Sequence, residues 1–140
     1  EEKEMYKKIL WADNETLNKI MDKKDIFLIQ DLVKKVFISE SIFDYVTNIV
    51  DATRNPSKYN IWELETYISY WASPRAWLSL LNASRVIALM NERSFVIPED
   101  IKKIATLVLS HRIVLSYEAM ASEKTEKDII KNIIEKINIV

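Results

Sequence analysis

Apolar residues recur along this chain at intervals of three and four, the spacing that lines them up on one side of an α-helix. Over residues 1–12 the stripe is Met5, Tyr6, Ile9 and Leu10, with charges opposite. Over 14–22 it is Leu17, Ile20 and Met21, and over 25–35 it is Ile26, Ile29, Leu32 and Val33. Ser39 reads as the N-cap of a helix over 40–54, whose stripe is Ile42, Val46, Ile49 and Val50. Asn55-Pro56-Ser57 interrupts the pattern, and 61–71 fits a shorter helix with Ile61, Leu64, Ile68 and Trp71 inward. Ser73-Pro74 opens the next helix, which runs to about Asn91. Its apolar positions, from Trp77 and Leu78 to Ala88 and Leu89, go nearly all the way round, which predicts a central buried helix.

Pro98 then stands at a first helical position, followed by Glu99 and Asp100 where the helix dipole favours anions. That helix offers Ile101, Ile104, Ala105, Val108 and Leu109 to a core. Thr125 and Asp128 have the spacing of a capping box, opening a last helix with an isoleucine row at 129, 130, 133, 134 and 137. That row suits either core or a docking face. Three short β-branched runs, 36–38, 95–97 and 112–115, read as extended. The expected fold is therefore mostly α, a helical bundle with a small two- or three-stranded β element. A chain of 140 residues, 49% hydrophobic, suits one domain with a real core.

Composition removes several chemistries. Cysteine is absent and His111 is the only histidine, so disulfides, thiolate nucleophiles and Cys- or His-clustered metal sites cannot be built. Glycine is absent too, and a loop that cradles phosphate needs glycine where a Cβ would block the approach. Neither a P-loop nor a dinucleotide fingerprint can lie in these 140 residues. Twenty Lys and Arg against 21 Asp and Glu leave no basic stripe for nucleic acid and no polybasic membrane face. No run approaches the roughly 18 apolar residues of a membrane span, and no charged-then-apolar leader opens the chain. The expectation is a cytoplasmic protein.

One local rule is broken. With Ser73 as cap and Pro74 first, Arg75 falls in the first turn of its helix, where the dipole disfavours a cation by a few tenths to about 1 kcal/mol. An arginine set against the dipole, beside unpaired N–H groups, is what an anion site looks like. The plainer reading has Arg75 reaching into solvent or pairing with a nearby carboxylate.

Several ordered segments resemble one family. Ala72-Ser73-Pro74-Arg75-Ala76, Leu81, Ala88-Leu89 and Arg93-Ser94-Phe95-Val96-Ile97-Pro98-Glu99-Asp100-Ile101 are similar to the lid subdomain of MoxR-type AAA+ ATPases. So are Val108-Leu109-Ser110-His111-Arg112-Ile113 and Ser116-Tyr117-Glu118-Ala119, with Val36-Phe37-Ile38-Ser39, Ala52-Thr53-Arg54 and Tyr59 earlier in the chain. The likeness runs from about residue 25 to 120. It implies one lid subdomain over 1–140: a leading helix and linker (1–24), helices over 25–54, the sensor-2 helix and the next lid helix over 61–120, and a C-terminal helix over 125–140.

In that family Arg75 corresponds to the sensor-2 arginine, which reaches the terminal phosphates of the nucleotide, with Ser73, Pro74 and Ala76 beside it. The resemblance further implies ATP and Mg²⁺ held mainly by a P-loop core outside this chain. It implies no tight cofactor binding by the chain alone, so that the chain is no enzyme while its parent is a Mg-dependent ATP hydrolase. The implied partners are that core, a homo-oligomeric ring (a hexamer), and a client protein with a von Willebrand factor A domain. Two departures stand out: the family usually has glycine where this chain has Trp71 and Glu92.

Other residues carry plainer expectations. Arg54 reads as a helix C-terminal cation with a secondary interface role, and Arg93 and Arg112 as braces between helices or subunit contacts. Arg85 predicts a partly buried ion pair, and His111 a bond to a terminal helix carbonyl. Trp11, Trp62, Trp71 and Trp77 read as core or rim anchors. A free-standing helical domain that binds protein through a groove, without nucleotide, is the competing reading, and a helix-turn-helix DNA reader is a distant third.

Overall fold

The computed structural model describes residues 2–11 and 18–139, with side chains from 2–6 and 18–139. It divides into two compact units, Glu1–Gln30 and Asp31–Val140. In the first, α1 (Glu2–Trp11) keeps Met5 and Tyr6 exposed; the side chains of Ile9, Leu10, Trp11 and Leu17 lie outside the described residues. The helix expected over 14–22 is absent from its described part, 18–22. Instead α2 (Lys23–Lys35) starts afresh, because the Asp25 carboxylate accepts the Asp22 N–H at 2.7 Å and closes a new helix start there. None of the residues of α2 is buried, so its stripe of Ile26, Ile29 and Leu32 stays exposed.

The second unit holds the core. α3 (Glu40–Arg54) begins after Ser39, as its pattern predicts, although the Ser39 hydroxyl pairs with Ser41 rather than capping. A 3-10 turn (Pro56–Tyr59) follows, then α4 (Leu64–Tyr67), β1 (Ile68–Tyr70), α5 (Arg75–Met90), α6 (Pro98–Leu109), β2 (Val114–Leu115), α7 (Tyr117–Ala121) and α8 (Glu126–Lys136). α5 packs chiefly on α6 and then on α3, while α8 closes against α6 and α3. Val46, Ile49, Leu80, Ile101, Leu109, Ile130 and Ile133 are fully buried where these helices meet. Each such side chain contributes on the order of 1.5–3 kcal/mol relative to exposure. Ala76, Ala88 and Ala105 let α5 and α6 approach closely. The isoleucine row of α8 is therefore core: Ile129, Ile130, Ile133 and Ile137 are buried. Its Thr125–Asp128 capping box forms as the spacing predicts.

Three expectations are corrected. First, only α4 is helical in 61–71; the chain then turns into β1, whose register with β2 pairs Ile68 with Leu115 and Tyr70 with Val114. Ser116, 50 positions from Thr66, donates its hydroxyl to the Thr66 carbonyl at 2.6 Å, and its N–H goes to the Tyr67 carbonyl. These long-range bonds override the local helical period and turn Trp71 outward. Second, 36–38 and 95–97 meet only through a single parallel bridge, Phe37 to Phe95, so the sheet among the described residues is β1–β2 alone. Third, α5 is not buried all round. Ala76, Leu80, Leu81, Ser84 and Ala88 face the core, but Leu78, Val86 and Met90 are exposed, because its neighbours cover only part of its circumference.

Absence of glycine leaves a mark. Glu92 and Glu123 adopt left-handed backbone, φ 57° and 55°, at the C′ positions that end α5 and α7. The Arg93 N–H bonds the Ala88 carbonyl and the Glu92 N–H the Leu89 carbonyl, the pair of bonds of a Schellman ending. A Cβ in that conformation costs roughly 1–2 kcal/mol, partly offset by the extra freedom glycine gives the unfolded chain. Glu92→Gly is therefore expected to stabilise the protein by about 0.5–1 kcal/mol. Chemical denaturation with an unchanged m-value checks this, and a loss of stability would contradict it.

Candidate functional site at the α5 N-terminus

The turn into α5 is pinned from below. Thr53, fully enclosed near the end of α3, donates its hydroxyl to the Val50 carbonyl at 2.7 Å and accepts the Ala72 N–H at 3.3 Å. Ala72 is itself buried. β1 leads directly into this turn, and its pairing with β2 ties the start of α5 to the segment that follows α6. Pro74 takes αR backbone, φ −53°, which its ring favours, so α5 begins at Arg75.

This differs in detail from the expected cap. The Ser73 side chain makes no capping bond; its carbonyl instead accepts the Ala76 N–H at 2.8 Å, and the Pro74 carbonyl accepts the Trp77 N–H at 3.2 Å. The N–H groups of Ala76 and Trp77 are thus already satisfied within the first turn. What remains for an anion is the Arg75 guanidinium, together with the Arg75 backbone N–H, which has no acceptor among the described residues. The guanidinium is exposed and makes neither an ion pair nor a side-chain hydrogen bond among the described residues. Of the plainer reading of Arg75, the carboxylate partner is absent among the described residues, whereas the reach into solvent is what the structure shows. A planar cation on a rigid helix start, with its donors free, has the chemistry to grip phosphate or carboxylate oxygens.

Beside it lies an open cleft of about 360 Å³ lined by Thr47, Val50, Asp51, Arg54, Pro74 and Trp77. The Trp77 indole donates to Thr47 Oγ1 at 3.1 Å and stacks on Phe43, which seats the first turn of α5 on α3. Arg54, the last residue of α3, lies over the Trp71 ring at 5.6 Å from its centroid. Asp51 is occupied: it accepts from Lys58, Asn55 and Tyr59 at 2.7–2.8 Å. The Lys58 bond above all holds its carboxyl below the usual range, against the upward push of partial burial.

The other arginines divide by place. Arg112 donates Nε to the Val108 carbonyl and Nη2 to Ser79 Oγ at 3.1 Å, and Ser79 in turn donates to the Arg75 carbonyl. Arg112 thus braces the first turn of α5 from the far side. Arg93 belongs to the opposite end of α5, where it grips Asp100 with two bonds of 2.6 and 2.8 Å and also reaches the Phe95 carbonyl. Arg85 makes no ion pair among the described residues; its Nε donates to the Val36 carbonyl at 3.2 Å, because the backbone bridge at Phe37 brings that carbonyl within reach. His111 is exposed in the turn after α6 and makes no side-chain hydrogen bond among the described residues, so the expected carbonyl contact is not formed. Trp62 and Trp71 are likewise exposed, not core.

Sequence reasoning did not single out Thr53, Ser79 or the Arg93–Asp100 pair. Thr53 carried the one available signal, a hydroxyl in the last turn of an apolar helix stripe. Among the described residues no group of three or more His, Asp or Glu is placed to hold a metal ion.

The AAA lid domain family matches residues 64–133, half of the chain, from α4 into α8. The chain is 32% identical over 118 residues to the chaperone MoxR1 of Mycobacterium tuberculosis, covering 84% of the chain and 31% of that protein. It is 31% identical over 126 residues to the uncharacterized protein YeaC of Bacillus subtilis, covering 89% of the chain and 36% of that protein. A crystal structure from Cytophaga hutchinsonii, assigned as an ATPase, superposes on the whole chain with a TM-score of 0.85 and 37% identity, the chain matching 44% of it. The chain thus spans about a third of the curated relatives it matches. Family match, relatives and fold agree: this chain belongs to the AAA lid domain family, as the helical lid of a MoxR-type AAA+ ATPase.

Proposed function

We propose that this lid closes over ATP held by a P-loop core outside these 140 residues, with Arg75 as the sensor-2 residue facing the terminal phosphates. The observation that carries the reading is the free guanidinium at the start of α5, on a turn pinned to α3 and β2. The residues fit the ligand: Arg75 offers paired donors to phosphate oxygens, and Ser73, Pro74 and Ala76 shape the turn that presents it. ATP bound with Mg²⁺ supplies the γ-phosphoryl group and the divalent charge for hydrolysis. Arg75 then stabilises negative charge spread over the transferring oxygens.

Because α5 is braced by Thr53 and Arg112, a pull on Arg75 moves the lid as a body and shifts it between two positions, which couples phosphate state to lid angle. The parent protein acts as a cytoplasmic homo-oligomeric ring, a hexamer, that remodels partner proteins in a chaperone-like way, among them proteins with a von Willebrand factor A domain. Its work needs neither nucleic acid nor membrane insertion. No described helix is long and apolar enough to cross a membrane.

Arg75→Ala in the ATPase that carries this lid is the direct test, read as ATP turnover; unchanged turnover overturns the reading. A second expected result concerns the 140-residue chain by itself. Lacking any glycine-built phosphate cradle, it should hydrolyse no ATP and bind it at best weakly. Sub-micromolar affinity by calorimetry would place the main phosphate site in this chain and contradict the proposal.

A further inference from the structure

We propose that Arg54 and Trp71 form a clamp that sets the direction of Arg75, which makes Arg54 a positioning residue for the phosphate contact. The proposal rests on the reading of Arg75 given above. Two successive residues at the end of α3 hold two successive residues ahead of α5. Thr53 Oγ1 accepts the N–H of Ala72, and the Arg54 guanidinium lies 5.6 Å from the centroid of the Trp71 ring. The first contact is buried and fixes one point of the turn. The β1–β2 pairing at Tyr70 holds the chain just before the turn, and the packed first turns of α5 hold it just after. The second contact holds Trp71, the one residue between the strand and that buried point. Beyond Ala72 the backbone has little choice: Ser73, standing before a proline, is disfavoured in the α region, the Pro74 ring restricts its φ, observed at −53°, and Arg75 is already helical.

Nothing in core packing accounts for Trp71. It is 50% exposed and lies outside the buried cluster. Arg54 is exposed as well, and among the described residues it has no carboxylate partner, although Asp51 is one turn away on the same helix. Asp51 is taken by Lys58, Asn55 and Tyr59, so the Arg54 cation is left to the indole face. Arginine suits this better than lysine, because its flat guanidinium stacks on a ring. Arg54 and Pro74 also line the same cleft, so the clamp sits directly against the turn that it steers. An exposed stacking contact adds little to folding stability. Its effect is to narrow the directions open to Arg75, and small misplacements of a charge-stabilising group are costly to a rate.

The test uses the intact ATPase that carries this lid. Arg54→Ala and Trp71→Ala should each lower kcat about tenfold with little change in KM for ATP, while Trp71→Phe stays within about twofold of the parent. Arg54→Ala placed on top of Arg75→Ala should cost nothing further, because a positioning residue acts only through the residue that it positions. A further tenfold loss in that double variant would mean that Arg54 touches nucleotide itself, and would overturn the clamp. Unchanged kcat in Arg54→Ala, beside an impaired Arg75→Ala, overturns it too and leaves the phosphate-facing reading intact. Should Arg75→Ala have no effect on turnover, that reading falls first. The clamp is then judged by hydrogen exchange at the Ala72 amide, which Arg54→Ala should speed several-fold; an unchanged rate overturns it.

Discussion

Replacing Arg75 by alanine in the parent ATPase is expected to cut ATP turnover by about 10²- to 10³-fold, the range seen when one donor to a charged transition state is removed. The fall should appear in kcat more than in KM, because charge spreads over the phosphate oxygens most strongly in the transition state. Stability should move the other way. Arg75 is exposed, makes no ion pair among the described residues, and opposes the dipole of α5, so its loss should leave the melting point unchanged or raise it slightly. A residue that costs stability where it stands and is required for turnover is one kept for function. Lysine at position 75 should recover only part of the rate, since it offers a point charge in place of a planar fork. Steady-state ATPase kinetics and thermal melts of the three proteins check all of this. A stability loss matching the rate loss would instead mark Arg75 as structural.

The second large effect lies at the other end of α5. Asp100 is only 3% exposed, takes both Arg93 bonds, and accepts the Ile97 N–H at 3.0 Å, capping α6. Removing Asp100 opens the α6 cap and takes two bonds from the partly exposed Arg93, so Asp100→Ala is expected to cost about 1–3 kcal/mol. Denaturant titration reads this, and a loss below about 1 kcal/mol would show the pair to be effectively solvated. The pH dependence has a definite sign. Burial pushes the Asp100 carboxyl up, but the Arg93 and Ile97 hydrogen bonds outweigh it and hold it below the ordinary value. A group depressed on folding contributes stability above its unfolded pKa, about 4, and loses it as pH falls through the lower folded value. The protein should therefore lose stability below about pH 4, and Asp100→Asn should flatten that part of the curve.

The helical segments were largely legible because their signals are local. Pro98-Glu99-Asp100 and Thr125 with Asp128 mark helix starts through bonds within four residues, and α6 and α8 begin where those signals stand; α3 also begins after Ser39, without the expected side-chain cap. The family likeness was legible for a similar reason, being carried by ordered short motifs along the chain. The β ribbon was not. Ile68 and Trp71 fit a helical stripe, and only the partner at 114–116, far off in sequence, pulls 68–70 into a strand and turns Trp71 to solvent. Arg85 illustrates the same limit: its partner is a backbone carbonyl at Val36, and no side-chain pattern could announce it.

By itself the sequence determined the class of the fold, the absence of a glycine-built phosphate cradle, and the placing of a cation at a helix start, since each depends on residue type and near neighbours alone. Only the tertiary structure decided what holds that helix start in place. Asp51 is engaged by a 3-10 turn, Thr53 reaches Ala72, Arg112 reaches Ser79, and Arg54 lies on Trp71. Those contacts join residues from 7 to 33 positions apart in the chain. Periodicity reports which side of a helix is apolar, whereas the packing of helices decides which polar groups meet.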